Sequence, residues 1–289
     1  MGRMGRMGRM GRMRRMRRMG RNLTRFVTDL GWNRTVQLSV VLVCAVALKY
    51  FYSTASVNQL RWILAPTTMA VEFISGQRFQ FEPFAGYINS HHTFVIAASC
   101  AGVNFLLTAF LMLALGELWR NRSRQIGWTF LPVAAVIAYV ATLIANTIRI
   151  TTSIQLREMR LETSWLTADQ LHRFEGVFIY FGFLLLLYVI SDRLSHDGLK
   201  RKRLAFGARR RTEKMQPRKV ALQSLGQRCL FPLLIYYGTT LGLPFINGAF
   251  RQPGFWEHSM FVLLIPMVFV IPFAAFVLMR RPPRAIKSS

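Results

Sequence analysis

The sequence predicts an all-α fold: a polytopic membrane helix bundle of about six transmembrane helices, with the N- and C-termini in the cytoplasm. Composition places the chain in the membrane class. Of its 289 residues, 52% are hydrophobic and only 17% are charged, whereas soluble domains carry about 25% charged residues. The formal net charge is nevertheless +26. Apolar bulk with strong basic charge is typical of a membrane protein with basic inner loops, and it argues against a nucleic-acid binder.

The first 22 residues form a basic segment of low complexity. The run MGRMGRMGRMGRMRRMRRMGR has no apolar face, so residues 1–22 are predicted to be a disordered basic tail. Two interpretations stay open: an arm that binds anionic lipid, or a misassigned start with translation beginning near Met19. Neither interpretation changes the apolar helices that follow.

Six apolar segments approach the length of about 20 residues that an α-helix needs to cross the bilayer core. They are residues 36–51, 93–115, 128–148, 174–190, 229–243 and 258–279. The first and the fifth segments are short and need flanking residues to span. Residues 60–76 are apolar as well, but they contain Arg61, Pro66 and Glu72. They are therefore predicted to form an amphipathic helix on the outer membrane surface.

The distribution of basic residues orients these segments. Threading the chain through six spans puts most of the 38 Lys and Arg residues on one side of the membrane. Cytoplasmic loops are enriched in Lys and Arg, so this side is predicted to face the cytoplasm. The chain then divides into the tail, a membrane core at residues 23–191, a basic cytoplasmic loop at residues 192–228, and two additional transmembrane helices with a basic tail at residues 229–289.

Three reactive side chains fall on the outer side of three consecutive predicted spans. Cys100 lies near the start of the second span, Arg149 at the end of the third, and His172 at the start of the fourth. Segments adjacent in sequence are usually adjacent in space, so a thiol, a guanidinium and an imidazole are expected to converge. The depth of Cys100 stays open, because a helix that begins at residue 93 places it about 10 Å inside the span.

These three groups together suit nucleophilic attack on an acyl carbon. A cysteine reacts as its thiolate, and an adjacent imidazole can accept the proton and later return one to the leaving amine. An arginine keeps its charge and offers several donors to the oxyanion of a tetrahedral intermediate. Each residue also has a structural interpretation: Cys100 as a small packing residue, Arg149 as a side chain that snorkels to the interface, and His172 as a polar helix start.

Three further residues bear on the same site. Asn146, one turn before Arg149, is expected to hold the arginine side chain or to bond to a neighbouring helix. Gly102 leaves room for a substrate backbone or for another helix. His92 lies just outside the second span and is the rival base for Cys100. The sequence has no H-E-x-x-H motif and no Cys/His cluster, so no metal is expected.

Three short motifs resemble, in order and spacing, the signature elements of the exosortase/archaeosortase family. They are SCAGVNF at residues 99–105, NTIR at residues 146–149 and HRFEG at residues 172–176. In addition, the segment LRWILAPTT at residues 60–68 resembles sequences of the exosortase K branch of this family. The resemblance covers roughly residues 60–190, and it implies that the membrane core is an exosortase-like catalytic unit.

The resemblance implies a role for each motif residue. Cys100 would be the nucleophile, Arg149 the transition-state stabiliser and His172 the general acid/base, with Gly102 and Gly176 in supporting positions. The implied activity is that of a membrane-embedded cysteine protease or transpeptidase in the cytoplasmic (inner) membrane, with its site facing the extracytoplasmic side. Its implied partners are exported proteins that end in a short motif, a transmembrane helix and a basic tail. No cofactor and no nucleic acid are implied.

Two other functions compete with this one. A non-enzymatic transporter or assembly subunit would carry polar residues in the middle of several spans, whereas here they crowd at the outer ends. A transferase for lipid-linked glycans would use Arg149 and Arg157 on phosphate, but it leaves Cys100 without a role. The recognition motif, the acceptor nucleophile and the oligomeric state stay open.

Overall fold

The computed structural model describes residues 31–121, 126–159, 168–205, 230–246, 249–251 and 254–279. The basic tail and most of the basic loop lie outside the described residues, so their predicted conformations stay predictions. Most of the described residues are helical, which confirms the predicted helical bundle.

The described elements follow one another in a simple order. They are α1 (Trp32–Thr54), α2 (Arg61–Ser75), β1 (Phe79–Glu82), β2 (Gly86–Asn89), β3 (Val95–Ile96), a 3₁₀ turn (Ala98–Ala101), α3 (Val103–Arg120), α4 (Phe130–Glu158), α5 (Ala168–Ala205), α6 (Phe231–Tyr237), a π-helical turn (Gly238–Gly242), α7 (Leu243–Ile246), a second 3₁₀ turn (Ala249–Arg251) and α8 (Phe255–Met279).

Five helical segments of the described chain are long and apolar enough to cross a membrane. They are Trp32–Thr54, Ala98–Arg120, Phe130–Glu158, Arg173–Ser195 and Phe255–Pro272. Even the shortest has 18 residues and so covers about 27 Å at 1.5 Å per residue. Large apolar side chains such as Val43, Val46 and Val136 are exposed on these helices, as expected of surfaces that face lipid. The chain is therefore a multi-pass membrane protein.

The predicted fifth span is not among these five segments of the described chain. Residues 231–246 form a seven-residue α-helix, a five-residue π-helical turn and a four-residue α-helix. This segment runs antiparallel to α3. A Cβ at Gly116, near the end of α3, would lie 3.6 Å from Phe231 Cε1, while Thr239 Oγ1 lies 2.8 Å from Thr108 Oγ1, nearer the start of α3. The six-span count stays a prediction.

Helices α1, α3 and α4 are arranged up and down. At the start of α1, Gln37 Nε2 donates a 2.9 Å hydrogen bond to the carbonyl of Ile126, just before α4. Near the end of α1, Lys49 Nζ donates a 2.9 Å hydrogen bond to Asn104 Oδ1, at the start of α3. The ends of α1 and α4 and the start of α3 therefore meet at one end of the bundle.

A small antiparallel sheet with the order β1-β2-β3, which the sequence did not predict, precedes the 3₁₀ turn. Gly86 allows its tight packing, since φ is +122° there and a Cβ would lie 2.3 Å from the carbonyl oxygen of Ile96. The buried Asn89 closes the β2–β3 turn by accepting hydrogen bonds from the N–H groups of Thr93 and Phe94, both 2.9 Å. The predicted helix start at Thr93 is therefore wrong, because residues 95–101 form a strand and a turn.

Helix α2 forms within residues 60–76, as predicted, but it packs lengthwise against α4. Trp62, at the start of α2, stacks on Tyr139 with 5.7 Å between the ring centroids. Just beyond the end of α2, Gln77 Nε2 donates a 2.8 Å hydrogen bond to Glu158 Oε1, at the end of α4. A helix that contacts a spanning helix at both of its ends is not separate from the bundle, so the prediction of a helix lying flat on the membrane surface is wrong.

Candidate functional site

Cys100 lies in the 3₁₀ turn, directly before α3. Its backbone N–H donates a 2.9 Å hydrogen bond to the carbonyl of Ala97, and its side chain is half-buried. The spanning segment Ala98–Arg120 begins only two residues before it. Cys100 therefore lies at the start of this segment and not seven residues into a helix that begins at Thr93.

Gly102 separates this turn from α3. It has a left-handed backbone with φ +70°, which glycine adopts without the steric cost that a Cβ brings. A Cβ at this position would lie 3.1 Å from Asn146 Cγ and 3.3 Å from Thr142 Cγ2. The absence of a side chain thus lets the cysteine turn approach α4 closely.

Asn146 binds the cysteine turn to α4. Its side-chain Nδ2 donates a 2.6 Å hydrogen bond to the backbone carbonyl of Cys100, and the residue has no exposed surface. Its Oδ1 accepts a 2.7 Å hydrogen bond from the hydroxyl of Tyr180 on α5. A single buried amide therefore joins three elements of the bundle.

Arg149 lies one turn further along α4. The helix itself does not end there, since α4 continues to Glu158, and the end of the third span at this residue stays a prediction. Its Nη1 donates a 3.2 Å hydrogen bond to the hydroxyl of Tyr180, and the guanidinium carbon lies 5.3 Å from the centroid of the Tyr180 ring. On α5, Gly176 provides the space for this side chain, because a Cβ there would lie 3.0 Å from Arg149 Nε.

Charged and titratable groups on α1, α4 and α5 lie near enough to Cys100 to couple to it electrostatically. The thiol interacts with Arg149 on α4, with Tyr180 on α5 and with Tyr52 on α1. Arg149 also interacts with the buried Glu175. The Oε2 atom of Glu175 accepts a hydrogen bond from Ser153 of α4. A positive charge and a cysteine therefore occupy one partly buried neighbourhood.

A cavity of about 240 Å³ opens beside this cluster. Its walls include Arg149, Gly176 and Tyr180. From the cysteine turn they include Ser99 and Gly102, but Cys100 itself is not among the described residues that line the cavity. The C-terminal segment closes the opposite wall with three polar side chains, those of Tyr236, Thr240 and His258. The two additional helices, to which the sequence assigned no role, thus contribute side chains to the cavity.

The two histidines proposed as bases differ in placement. His172 lies in α5, one residue before the spanning segment Arg173–Ser195, but its side chain lies outside the described residues. His92 is exposed in the turn between β2 and β3, where it has a positive φ of 51°. Among the described residues that line the cavity, His92 does not appear.

Sequence reasoning did not find Tyr180, Tyr52 and His258. For two of them, Tyr180 and His258, the sequence contained a recognisable signal. Tyr180 lies one helical turn after Gly176, on the same face of the helix. His258 opens the predicted last span on its outer side, which is the criterion that singled out His172 in the fourth span.

The described residues contain no group of three or more His, Cys, Asp or Glu side chains that could hold a metal ion. No protein-family model, no curated protein and no solved structure matches the chain. The chemistry of the site is therefore argued from its own residues.

Proposed function

We propose that the protein is a membrane-embedded cysteine protease or transpeptidase of the exosortase type. It cleaves the C-terminal sorting signal of a membrane-tethered exported protein and transfers or releases the product. The observation that carries this proposal is the chain of contacts from the carbonyl of Cys100 through Asn146 and Tyr180 to Arg149. It links the turn that carries the nucleophile to a permanent positive charge that lines the adjoining cavity, and acyl transfer requires both groups.

The reaction proceeds in two steps. An imidazole, assigned to His172, removes the proton of Cys100, and the thiolate attacks the scissile carbonyl carbon. The oxyanion that forms is stabilised by Arg149. As the C–N bond breaks, the imidazolium returns a proton to the leaving amine, and a thioester to Cys100 remains. An incoming amine or water then attacks the thioester and regenerates the thiol.

The proposed topology has six spans with both termini in the cytoplasm and the site on the extracytoplasmic side of the cytoplasmic (inner) membrane. The distribution of Lys and Arg supports it. The substrates are exported proteins whose C-terminus carries a short motif, a transmembrane helix and a basic tail. Such a tail would be held on the cytoplasmic side by the same rule, so that the motif reaches the outer face.

The test is processing of a natural substrate in cells that carry Cys100→Ala. The cleaved product should disappear while the amount of the variant in the membrane stays normal. The matched control is Cys44→Ala, because Cys44 is exposed on α1 and has no part in the reaction. Full processing by Cys100→Ala would contradict the proposal.

A further inference from the structure

We propose that Tyr180 is a positioning residue whose hydroxyl fixes the guanidinium of Arg149 against the Cys100 turn. The inference rests on the proposed role of Cys100 as nucleophile and adds a residue that no motif of the sequence identified. Tyr180 lies on α5, while Arg149 belongs to α4 and Cys100 precedes α3. The hydroxyl bonds two residues of α4, Arg149 and Asn146, and through Asn146 it is linked to the cysteine turn.

Each hydrogen bond in this network has a defined donor and a defined acceptor. A guanidinium can only donate, so the Tyr180 oxygen accepts the 3.2 Å hydrogen bond from Arg149 Nη1. The hydroxyl proton is then free to donate to Asn146 Oδ1, at 2.7 Å. The amide nitrogen of Asn146 in turn donates to the carbonyl of Cys100, at 2.6 Å. All three bonds point from the arginine towards the cysteine turn, an order in which each bond polarises the next.

The aromatic ring of Tyr180 is held independently of its hydroxyl. It stacks on Phe105 of α3 with 5.1 Å between the ring centroids and an interplanar angle of 29°. On α4, the guanidinium carbon of Arg149 lies 5.3 Å from the centroid of the Tyr180 ring. Since Tyr180→Phe keeps the ring and removes only the hydroxyl, it separates positioning from packing.

Positioning matters because arginine has a long side chain with many rotamers. A charge stabilises a thiolate or an oxyanion most when it is held in place before the reaction. Among the described residues, the charged and titratable groups that couple electrostatically to Cys100 include Arg149, Tyr180 and Tyr52. Beyond them, Glu175 interacts with Arg149, and the side chains of Arg173 and His258 line the cavity.

The reactivity of the thiol measures this positioning without a substrate. The chain has three cysteines, so replacing Cys44 and Cys229 by serine leaves Cys100 as the single thiol of the full-length protein in membranes. The rate of its alkylation by a membrane-impermeant maleimide is then measured at pH 7. Tyr180→Phe should lower this rate by up to about tenfold, because the positive charge of Arg149 remains but is no longer held in place to stabilise an anion. The matched control is Tyr139→Phe, which removes a hydroxyl bonded to the carbonyl of Trp62 and should leave the rate unchanged.

A second background separates positioning from general loosening of the fold. In an Arg149→Ala variant the hydroxyl has no guanidinium to hold, so adding Tyr180→Phe should change the rate by less than about twofold. An unchanged rate for Tyr180→Phe alone, or an equal loss in both backgrounds, would overturn the inference. The proposed function is tested separately, by the processing assay with Cys100→Ala. The alkylation rate is independent of that assay because it requires no substrate.

Discussion

The side-chain amide of Asn146 donates a 2.6 Å hydrogen bond to the backbone carbonyl of Cys100. The two residues are 46 positions apart in the chain, and the bond joins α4 to the turn that carries the thiol. The carbonyl of a residue in a single 3₁₀ turn lacks the repeated partners of a long helix. The amide therefore fixes the turn that orients the proposed nucleophile.

Removing this amide should cost stability and activity together. Asn146 is completely buried, so Asn146→Ala leaves the Cys100 carbonyl and the Tyr180 hydroxyl without their partner and should lower the free energy of unfolding by about 1–3 kcal/mol. Asn146→Asp keeps an acceptor for Tyr180 but loses the donor to Cys100. Thermal unfolding in detergent and the maleimide rate at Cys100 measure the two effects. Wild-type values for both variants would show that the bond has no consequence.

Gly102 should tolerate no side chain. Its φ of +70° costs a residue with a Cβ about 1–2 kcal/mol, and the added atom would lie 3.1 Å from Asn146 Cγ. Gly102→Ala is thus expected to lower the unfolding temperature and to slow processing. Gly238→Ala is the matched control, because nothing lies within 4 Å of a Cβ there and φ is −59°. Equal stability of the two variants would contradict the close approach of the turn to α4.

Gly176→Ala should lower activity without lowering stability. Alanine favours a helix by about 1 kcal/mol over glycine, but the new Cβ would lie 3.0 Å from Arg149 Nε and displace the guanidinium. Processing should fall about tenfold, as expected when a charge that stabilises the transition state is displaced, while the unfolding temperature is maintained. The control is Gly182→Ala on the same helix, where a Cβ would make an ordinary 3.7 Å contact with Phe269. Normal processing by Gly176→Ala would argue against a role for Arg149.

The choice between the two sequence-derived bases can be made by substitution. His172→Ala should reduce processing by a factor of about 100 or more, which is the usual contribution of general acid–base catalysis. His92→Ala should leave processing unchanged, because His92 is exposed in the β2–β3 turn. The cleavage rate of the same substrate in membranes measures both variants. A loss with His92→Ala and none with His172→Ala would reverse the assignment.

The sequence was sufficient for the long apolar helices and for three of the residues that one hydrogen-bond network links. Uninterrupted apolar runs predict spanning helices by length alone, and Cys100, Asn146 and Arg149 were named from their placement at predicted outer ends. The helix boundaries were less accurate. Arg149 looked like the end of a span, yet α4 continues to Glu158, because polar residues that face the bundle interior do not stop a helix.

The short sheet and the cysteine turn depend on tertiary contacts that local patterns do not reveal. Strands of four, four and two residues are too short for an alternation of apolar and polar residues to be recognised. Their pairing relies on Gly86, where a Cβ would lie 2.3 Å from the carbonyl oxygen of Ile96 and 3.2 Å from Ala97 Cα. Tyr180 was overlooked for a similar reason, since a tyrosine in an apolar span resembles any other aromatic residue until its hydroxyl partners are known.

The most direct test of the central claim is detection of a covalent intermediate on Cys100. Membranes that contain the full-length protein and a natural substrate would be quenched with acid, and the peptide that carries Cys100 would be analysed by mass spectrometry. We expect an adduct of substrate mass, attached as a thioester and therefore released by hydroxylamine. Continued cleavage of the substrate without any hydroxylamine-sensitive adduct on Cys100 would contradict its role as the nucleophile.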